Sequence, residues 1–296
     1  MFPKPVLLFS RMVAKPHITI VGAGNLGAAL AAALLRAGYP IDAVVARAGG
    51  DSLRRAKLLA RQVGANAVAA GHVQVTAYVV WFCVPDGEIS RAARSWAGKC
   101  AWKGRVALHS SGALSSDELS ALRQRGAAVA SVHPLMTFVR GSRPSLAGVP
   151  FAIEGDAPAV RVARGIVRDL RGQPFSIKKR DKAAYHAWGA FASPLLTALL
   201  ATTERVAATA GVTRKAAKQR MLPIIAQTVA NYAALDAAGA FSGPIVRGDA
   251  ETVNKHLHVL QRTPLARDVY IALAKAALEY LPVKQRARLK KMLTSR

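Results

Sequence analysis

The chain has 296 residues, 52% of them hydrophobic, with 42 Lys and Arg against 16 Asp and Glu and a formal net charge of +26. That size and apolar content exclude a disordered tail or a small disulfide-held module, and allow one large domain or two smaller ones. The cations stand singly or in pairs along helical patterns, apart from 178–180 and 284–291, with no interleaved aromatics. They read as a solvated basic surface that attracts small anions, not as a nucleic-acid site.

In chain order, residues 1–15 read as a disordered extension, because the apolar patch at 6–9 precedes no small-residue cleavage site. Segment 17–27, His-Ile-Thr-Ile-Val-Gly-Ala-Gly-Asn-Leu-Gly, leads into an alanine-rich run that stops at Gly38. It reads as a strand, a glycine turn and a helix, the order that holds a dinucleotide pyrophosphate. Gly22 turns the chain, Gly24 leaves room for phosphates and Gly27 lets the helix pack on the sheet. Asn25 and Leu26 open the helix, whose free N–H groups and positive dipole end attract the anion.

Further strands are expected at 41–46, 73–75, 78–84, 106–109, 128–132, 151–153 and 175–177. Helices are expected at 53–63, capped by Asp51 and Ser52, and at 88–96, 116–125 and 160–171. The alternation predicts an α/β fold, a Rossmann-type doubly wound sheet forming a dinucleotide-binding domain over 16–178. From 179 to 296, alanine-rich helical patterns broken at Gly211, Pro223 and 239–248 predict an all-helical domain for substrate and dimerisation. Those helices are apolar on more than one face, which predicts a homodimer made through them. The uncharged run 183–203 is about long enough for a bilayer, yet it carries Tyr185, His186, Ser193 and Pro194. It reads as a helix buried between domains or subunits, with no membrane partner. Cys83 and Cys100 share no metal-binding spacing. They point to a reducing, cytoplasmic location, and no metal is expected.

The residue ending the second strand of such a fold meets the adenine ribose, where an acid selects NAD and a base accommodates a 2′-phosphate. Arg47 stands there, with Arg54 and Arg55 close behind, which favours NADP(H). Other strand ends supply Val84, Pro85 and Asp86, then His109, Ser110, Ser111 and Gly112, then Ser131, Val132, His133 and Pro134. Val84, Pro85, Ser110 and Ser111 are expected at the cofactor, His109 and His133 at the substrate. Each of these clusters reads equally as a turn or helix cap.

Five segments carry a resemblance: 18–27; Leu-His-Ser-Ser-Gly-Ala-Leu at 108–114; Ser-Val-His-Pro-Leu at 131–135; Asp-Lys-Ala-Ala-Tyr-His-Ala at 181–187; and Gly-Pro-Ile-Val-Arg-Gly-Asp at 243–249. With them the chain resembles Rossmann-like proteins with a helical C-terminal domain of unassigned function. These are allied to ketopantoate reductase, pyrroline-5-carboxylate reductase and the 6-phosphogluconate dehydrogenase superfamily. The resemblance implies an NADP-type cofactor and hydride transfer to a carbonyl or imine, without naming a substrate.

The residues add detail. Lys182, His186, Gly189 and Ser193 fall at i, i+4, i+7 and i+11, one face of a helix. Reduction needs a proton donor beside the forming alkoxide; His186 or Lys182 is the candidate acid, with Ser193 orienting the substrate. His186 reads equally as an interface histidine and Lys182 as a solvated lysine. Pro194 stands where allied reductases often carry asparagine, and it should kink the helix. Arg247 is a natural fork for a substrate carboxylate, and Asp249 is either a ligand or a helix cap. The expected function is an NADP(H)-dependent oxidoreductase acting on a small anionic 2-oxo acid or imine. The alternative is a non-catalytic NADP-binding sensor or assembly module.

Overall fold

The computed structural model describes residues 14–72, 74–142 and 144–294, so most of the extension expected at 1–15 lies outside the described residues. The chain forms two compact units, which meet in sequence at Gly189 and Ala190.

The first unit is an eight-stranded sheet. Its strands are β1 (Ile18–Val21), β2 (Ile41–Ala46), β3 (Asn66–Ala69), β4 (Val79–Phe82), β5 (Val106–His109), β6 (Ala128–Pro134), β7 (Pro150–Gly155) and β8 (Gln173–Ser176). Their spatial order is β3-β2-β1-β4-β5-β6-β7-β8, parallel throughout except where β6 meets β7. Helices α1 (Asn25–Arg36), α2 (Gly50–Val63), α3 (Asp86–Trp96), the one-turn α4 (Ser120–Arg123), α5 (Ala157–Asp169) and α6 (Lys182–Ala190) complete the unit. Buried side chains of α1, α2 and α5, among them Leu30, Leu59 and Ile166, pack with Ile18 and Ile20. Ile89, Trp96 and Leu122 of α3 and α4 pack instead with Val21, Val80 and Phe82. The sheet is thus covered on both faces, and its central strands β1, β4 and β5 are buried along their whole length and largely apolar.

Several expected elements move. The third strand lies at Asn66–Ala69, where it pairs with β2, while residues 74–77 are not a strand. Helix α2 begins at Gly50 on a Gly49 cap with no side-chain hydrogen bond, so Asp51 and Ser52 lie inside it. The helix expected over 116–125 is a tight turn, Ser116–Leu119, followed by α4.

The second unit contains a π-helical turn (Phe191–Leu195), α7 (Leu196–Thr209), α8 (Arg214–Ala240), α9 (Pro244–Arg247), α10 (Ala250–Val259), α11 (Pro264–Tyr280) and α12 (Arg286–Thr294). Its core joins Val253 and Leu257 of α10, Ile271, Ala274 and Leu278 of α11, and Leu289 and Leu293 of α12. Pro194 sits inside the π turn, whose wider bore takes a ring that would otherwise strike the carbonyl one turn back. Pro223 does not break α8 as expected. The interruption comes at Asp236, with φ 71°, whose Oδ1 accepts the Gly239 N–H at 2.9 Å. No helix among the described residues is long and apolar enough to cross a membrane.

The glycine turn after β1 shows why its residues are small. Gly22 has φ 110°, and a Cβ there would stand 2.4 Å from the Cys83 carbonyl oxygen. A Cβ on Gly27 would stand 2.0 Å from the Gly22 carbonyl oxygen, so helix and turn meet backbone to backbone. Gly27→Ala should therefore lower stability by on the order of 3 kcal/mol, roughly 6 to 12 °C in Tm for a domain of this size. A thermal melt of the variant within a degree of the parent would contradict this packing.

Candidate functional site

Because β1, β2, β4, β5 and β6 are parallel, their carboxyl ends share one edge of the sheet, where ligands bind in open α/β folds. Gly22, Gly24, Asn25, Leu26 and Gly27 follow β1 at that edge. Gly24 is exposed, and a Cβ on it would meet nothing within 4 Å. No side chain caps α1, and its first internal bond runs from Ala28 N–H to the Gly24 carbonyl. The amides ahead of that bond have no helical partner. The Asn25 side chain is turned elsewhere, donating to the Phe138 carbonyl at 3.1 Å. Open space above Gly24 and an uncapped helix start suit a diphosphate. Arg47 follows β2 and is exposed; Arg54 pairs with Asp51 at 2.8 Å. Gly49 and Gly50 leave the start of α2 open beside Arg47.

The ends of β4, β5 and β6 carry the polar centre, and Ser111 is its hub. Its Oγ–H donates to Asp86 Oδ2 at 2.7 Å, and the same oxygen accepts the Leu114 N–H at 2.9 Å. Its N–H donates to His109 Nδ1 at 3.1 Å. Its carbonyl accepts from Lys182 Nζ at 2.9 Å and from Ser131 Oγ at 3.1 Å. Lys182 also donates to Ser131 Oγ at 2.6 Å and is 1% exposed. Burial pulls its ammonium down to about 8, against the charges of Glu154 and Asp86, which favour the protonated form. Glu154, buried on β7, accepts from Ser116 N–H at 2.6 Å and Ser116 Oγ at 2.9 Å.

His109 is fully buried. Its Nδ1 accepts from Ser111, so its Nε2 carries the hydrogen and donates to the Ser115 carbonyl at 2.9 Å. Burial holds this imidazole at about 4, and with both nitrogens engaged it shapes the loop that presents Ser111. Ser110 is buried likewise and accepts from Trp81 Nε1 at 2.8 Å. Val84 is half-buried against Gly22, and Pro85 caps α3.

His133 and His186 come together at Gly112. A Cβ on Gly112 would lie 2.8 Å from His133 Nε2 and 2.5 Å from His186 Cδ2, and the two rings are 6.1 Å apart. Burial, with Lys182 and His186 nearby, holds His133 at about 4. Gly189 packs toward Leu135. The shared face of Lys182, His186, Gly189 and Ser193 rested on a spacing of 3.6 residues, which the π turn interrupts before Ser193. Ser193, Arg247 and Asp249 belong to the second unit. Arg247 is exposed, and Asp249 caps α10 by accepting the Thr252 N–H at 3.0 Å.

Sequence reasoning singled out Lys182, His133 and Ser111 but not their partners. Glu154 was discernible as the one charge ending the apolar run Phe151-Ala152-Ile153. Tyr185 was discernible as the aromatic three residues after Lys182. Asp86 and Ser131 were legible as polar residues at the ends of their strands, beside Pro85 and before His133, but not as the partners of Ser111 and Lys182.

Residues 10–134 match the family model of a Rossmann-like domain. Residues 149–277 match a second model, described as a domain of unknown function, DUF2520. The chain is a Rossmann-like domain joined to a DUF2520 domain. The first supplies Asp86, Ser111, Gly112 and His133, and the second supplies Glu154, Lys182, Tyr185 and His186. A search of the curated proteins finds no match. Among solved structures, a Bacteroides fragilis protein assigned by its description to the NADP oxidoreductases is similar, with TM-score 0.75 and 20% identity. It covers 89% of this chain and 98% of its own. A reductive aminase from Aspergillus terreus in complex with NADPH and ethyl-5-oxohexanoate has TM-score 0.66 at 14% identity, covering 94% and 99%. An imine reductase from Myxococcus stipitatus in complex with NADP+ has TM-score 0.63 at 16% identity, covering 95% and 100%. At these identities the likeness is one of fold.

An unfolded imidazole takes up its proton near pH 6.5, but His109 and His133 do so only near 4 in the fold. Between those values the unfolded chain binds more protons, so stability falls as pH drops from about 6.5 to about 4. Urea melts across this range should show that slope, reduced by about one proton in His109→Gln. A variant slope equal to the parent's would contradict the neutral buried imidazole.

Proposed function

We propose that the chain is an NADP(H)-dependent oxidoreductase that reduces a small anionic 2-oxo acid or an imine. The observation that carries this reading is the pairing, on one sheet edge, of an open glycine turn under an uncapped helix with a buried lysine poised near neutrality. The NADPH and NADP+ bound in reductases of like fold support the same cofactor here.

Gly22, Gly24 and Gly27, with the first amides of α1 at Asn25 and Leu26, hold the diphosphate. Arg47 faces the 2′-phosphate, and Val84, Pro85, Ser110 and Ser111 line the strand ends beyond. Bound NADPH supplies a hydride. Lys182 holds the proton that meets the oxygen or nitrogen of the substrate as charge builds there. Two of its three ammonium hydrogens are engaged by Ser111 and Ser131, which leaves the third to donate. A lysine near 8 gives up that proton far more readily than one at its ordinary 10.5. His186, exposed beside Gly112, is the second candidate acid. His133 is assigned to the substrate, and His109 serves by holding the loop. Both cysteines are free, which fits a reducing cytoplasm.

The second reading is a non-catalytic NADP-binding module, favoured by Pro194 in its π turn. NADPH at 100 times its Kd should stabilise the protein by about 2.7 kcal/mol, measured by thermal shift. Arg47→Asp should move the preference toward NADH. Lys182→Met should keep the NADPH shift and lose turnover across a panel of oxo acids and imines. Stabilisation by neither coenzyme ends the reductase reading; binding without any turnover leaves the module.

We also propose a homodimer through the C-terminal helices. Leu222, Ile224, Val229, Tyr232 and Leu235 of α8 are all exposed in the single chain, and water-facing apolar surface of that extent favours association. Light scattering should return twice the 31.3 kDa chain mass, and a monomer for Ile224→Glu/Tyr232→Glu. A parent protein that runs as a monomer refutes it.

A further inference from the structure

Strand β6 and helix α6 meet in two rungs. Residues two apart on a strand point the same way, and residues three apart on a helix share a face. Ser131 and His133 on β6 therefore meet Lys182 and Tyr185 on α6. The first rung is the Lys182 bond to Ser131. In the second, Tyr185 Oη and His133 Nδ1 are 2.8 Å apart, with the rings edge to face at 5.4 Å. Tyr185 is 6% exposed, and the edges of Phe175 and Trp188 also pack against it, at 6.0 and 6.1 Å between ring centres. The alternative acceptor for its hydroxyl, the His133 carbonyl, stands at 3.5 Å, beyond a strong bond. The hydroxyl hydrogen goes to Nδ1, and the imidazole's own hydrogen is then on Nε2. That nitrogen faces Gly112, and among the described residues no group accepts from it.

We propose that Tyr185 is a positioning residue: it locks His133 in the tautomer that donates from Nε2, beside Gly112, to an oxygen of the substrate. A donor there selects a carbonyl or carboxylate oxygen and rejects a protonated imine, whose N–H would face another N–H. Of the two substrate classes proposed above, the geometry points to the 2-oxo acid. This assignment of the ligand rests on the reductase reading; the tautomer does not.

The test is ¹⁵N NMR of the full chain labelled at histidine, without cofactor, with His133 assigned by the resonances lost in His133→Gln. The expected result at pH 7.5 is a protonated Nε2 and a bare Nδ1 in the parent protein. Tyr185→Phe keeps the ring in place but should give averaged shifts for both nitrogens. A proton on Nδ1 in the parent protein overturns the proposal even if the variant does not fold, and so does an unchanged tautomer in a folded variant. Oxamate, a stable 2-oxo acid mimic, added with NADP+ should move the parent Nε2 resonance and leave the Tyr185→Phe spectrum unmoved. No movement in a sample with NADP+ demonstrably bound overturns the substrate role alone. A sample that binds no NADP+ overturns instead the reductase reading and leaves the tautomer result standing.

Discussion

An ammonium group with almost no contact with water is the constraint around which the first unit is arranged. Taking Lys182 out of solvent costs several kcal/mol unless its hydrogens find acceptors and its charge finds compensation. The Ser111 carbonyl and the Ser131 hydroxyl provide the acceptors. Glu154 and Asp86 provide negative charge at a distance. Each partner is held in turn: Glu154 by two bonds from Ser116, Ser111 by Asp86 and His109. The sheet edge is therefore a connected polar network in which the position of one group depends on the others.

That network explains why α6 belongs with the sheet although it follows the last strand. Its first residue is pinned to β6 and to the loop after β5, and Tyr185 adds a second attachment one turn later. Gly112 completes the fit, since any side chain there would displace both His133 and His186. Burial is the main influence on both inner groups: it pulls the Lys182 ammonium down to about 8 and the His133 imidazole down to about 4. One edge thus brings a buried lysine and a neutral imidazole to the same place.

Much of the fold was legible in the sequence. The glycine turn, β2 and β5 fall where the pattern puts them, because apolar runs bounded by glycine and polar residues carry local information. The third strand was misplaced because Asn66–Ala69 is short and only partly buried, whereas the apolar residues just before β4 imitate a strand. Asp51 and Ser52 looked like a cap, but two glycines with positive φ let α2 begin earlier. Pro223 looked like a break, yet a long helix tolerates one lost backbone bond more easily than the reversed φ of Asp236.

The sequence by itself determined the doubly wound sheet, the pyrophosphate-type turn and the change to helices, since these follow from periodicity and backbone freedom among near neighbours. Only the tertiary structure decided that Lys182 is buried, that His109 is spent on its own loop, and that Tyr185 governs His133. The partners of Lys182 lie 71 and 51 residues away in the chain, and Tyr185 lies 52 from His133. Solvent access, and with it protonation, is a property of what the whole fold brings to one place; no local pattern encodes it.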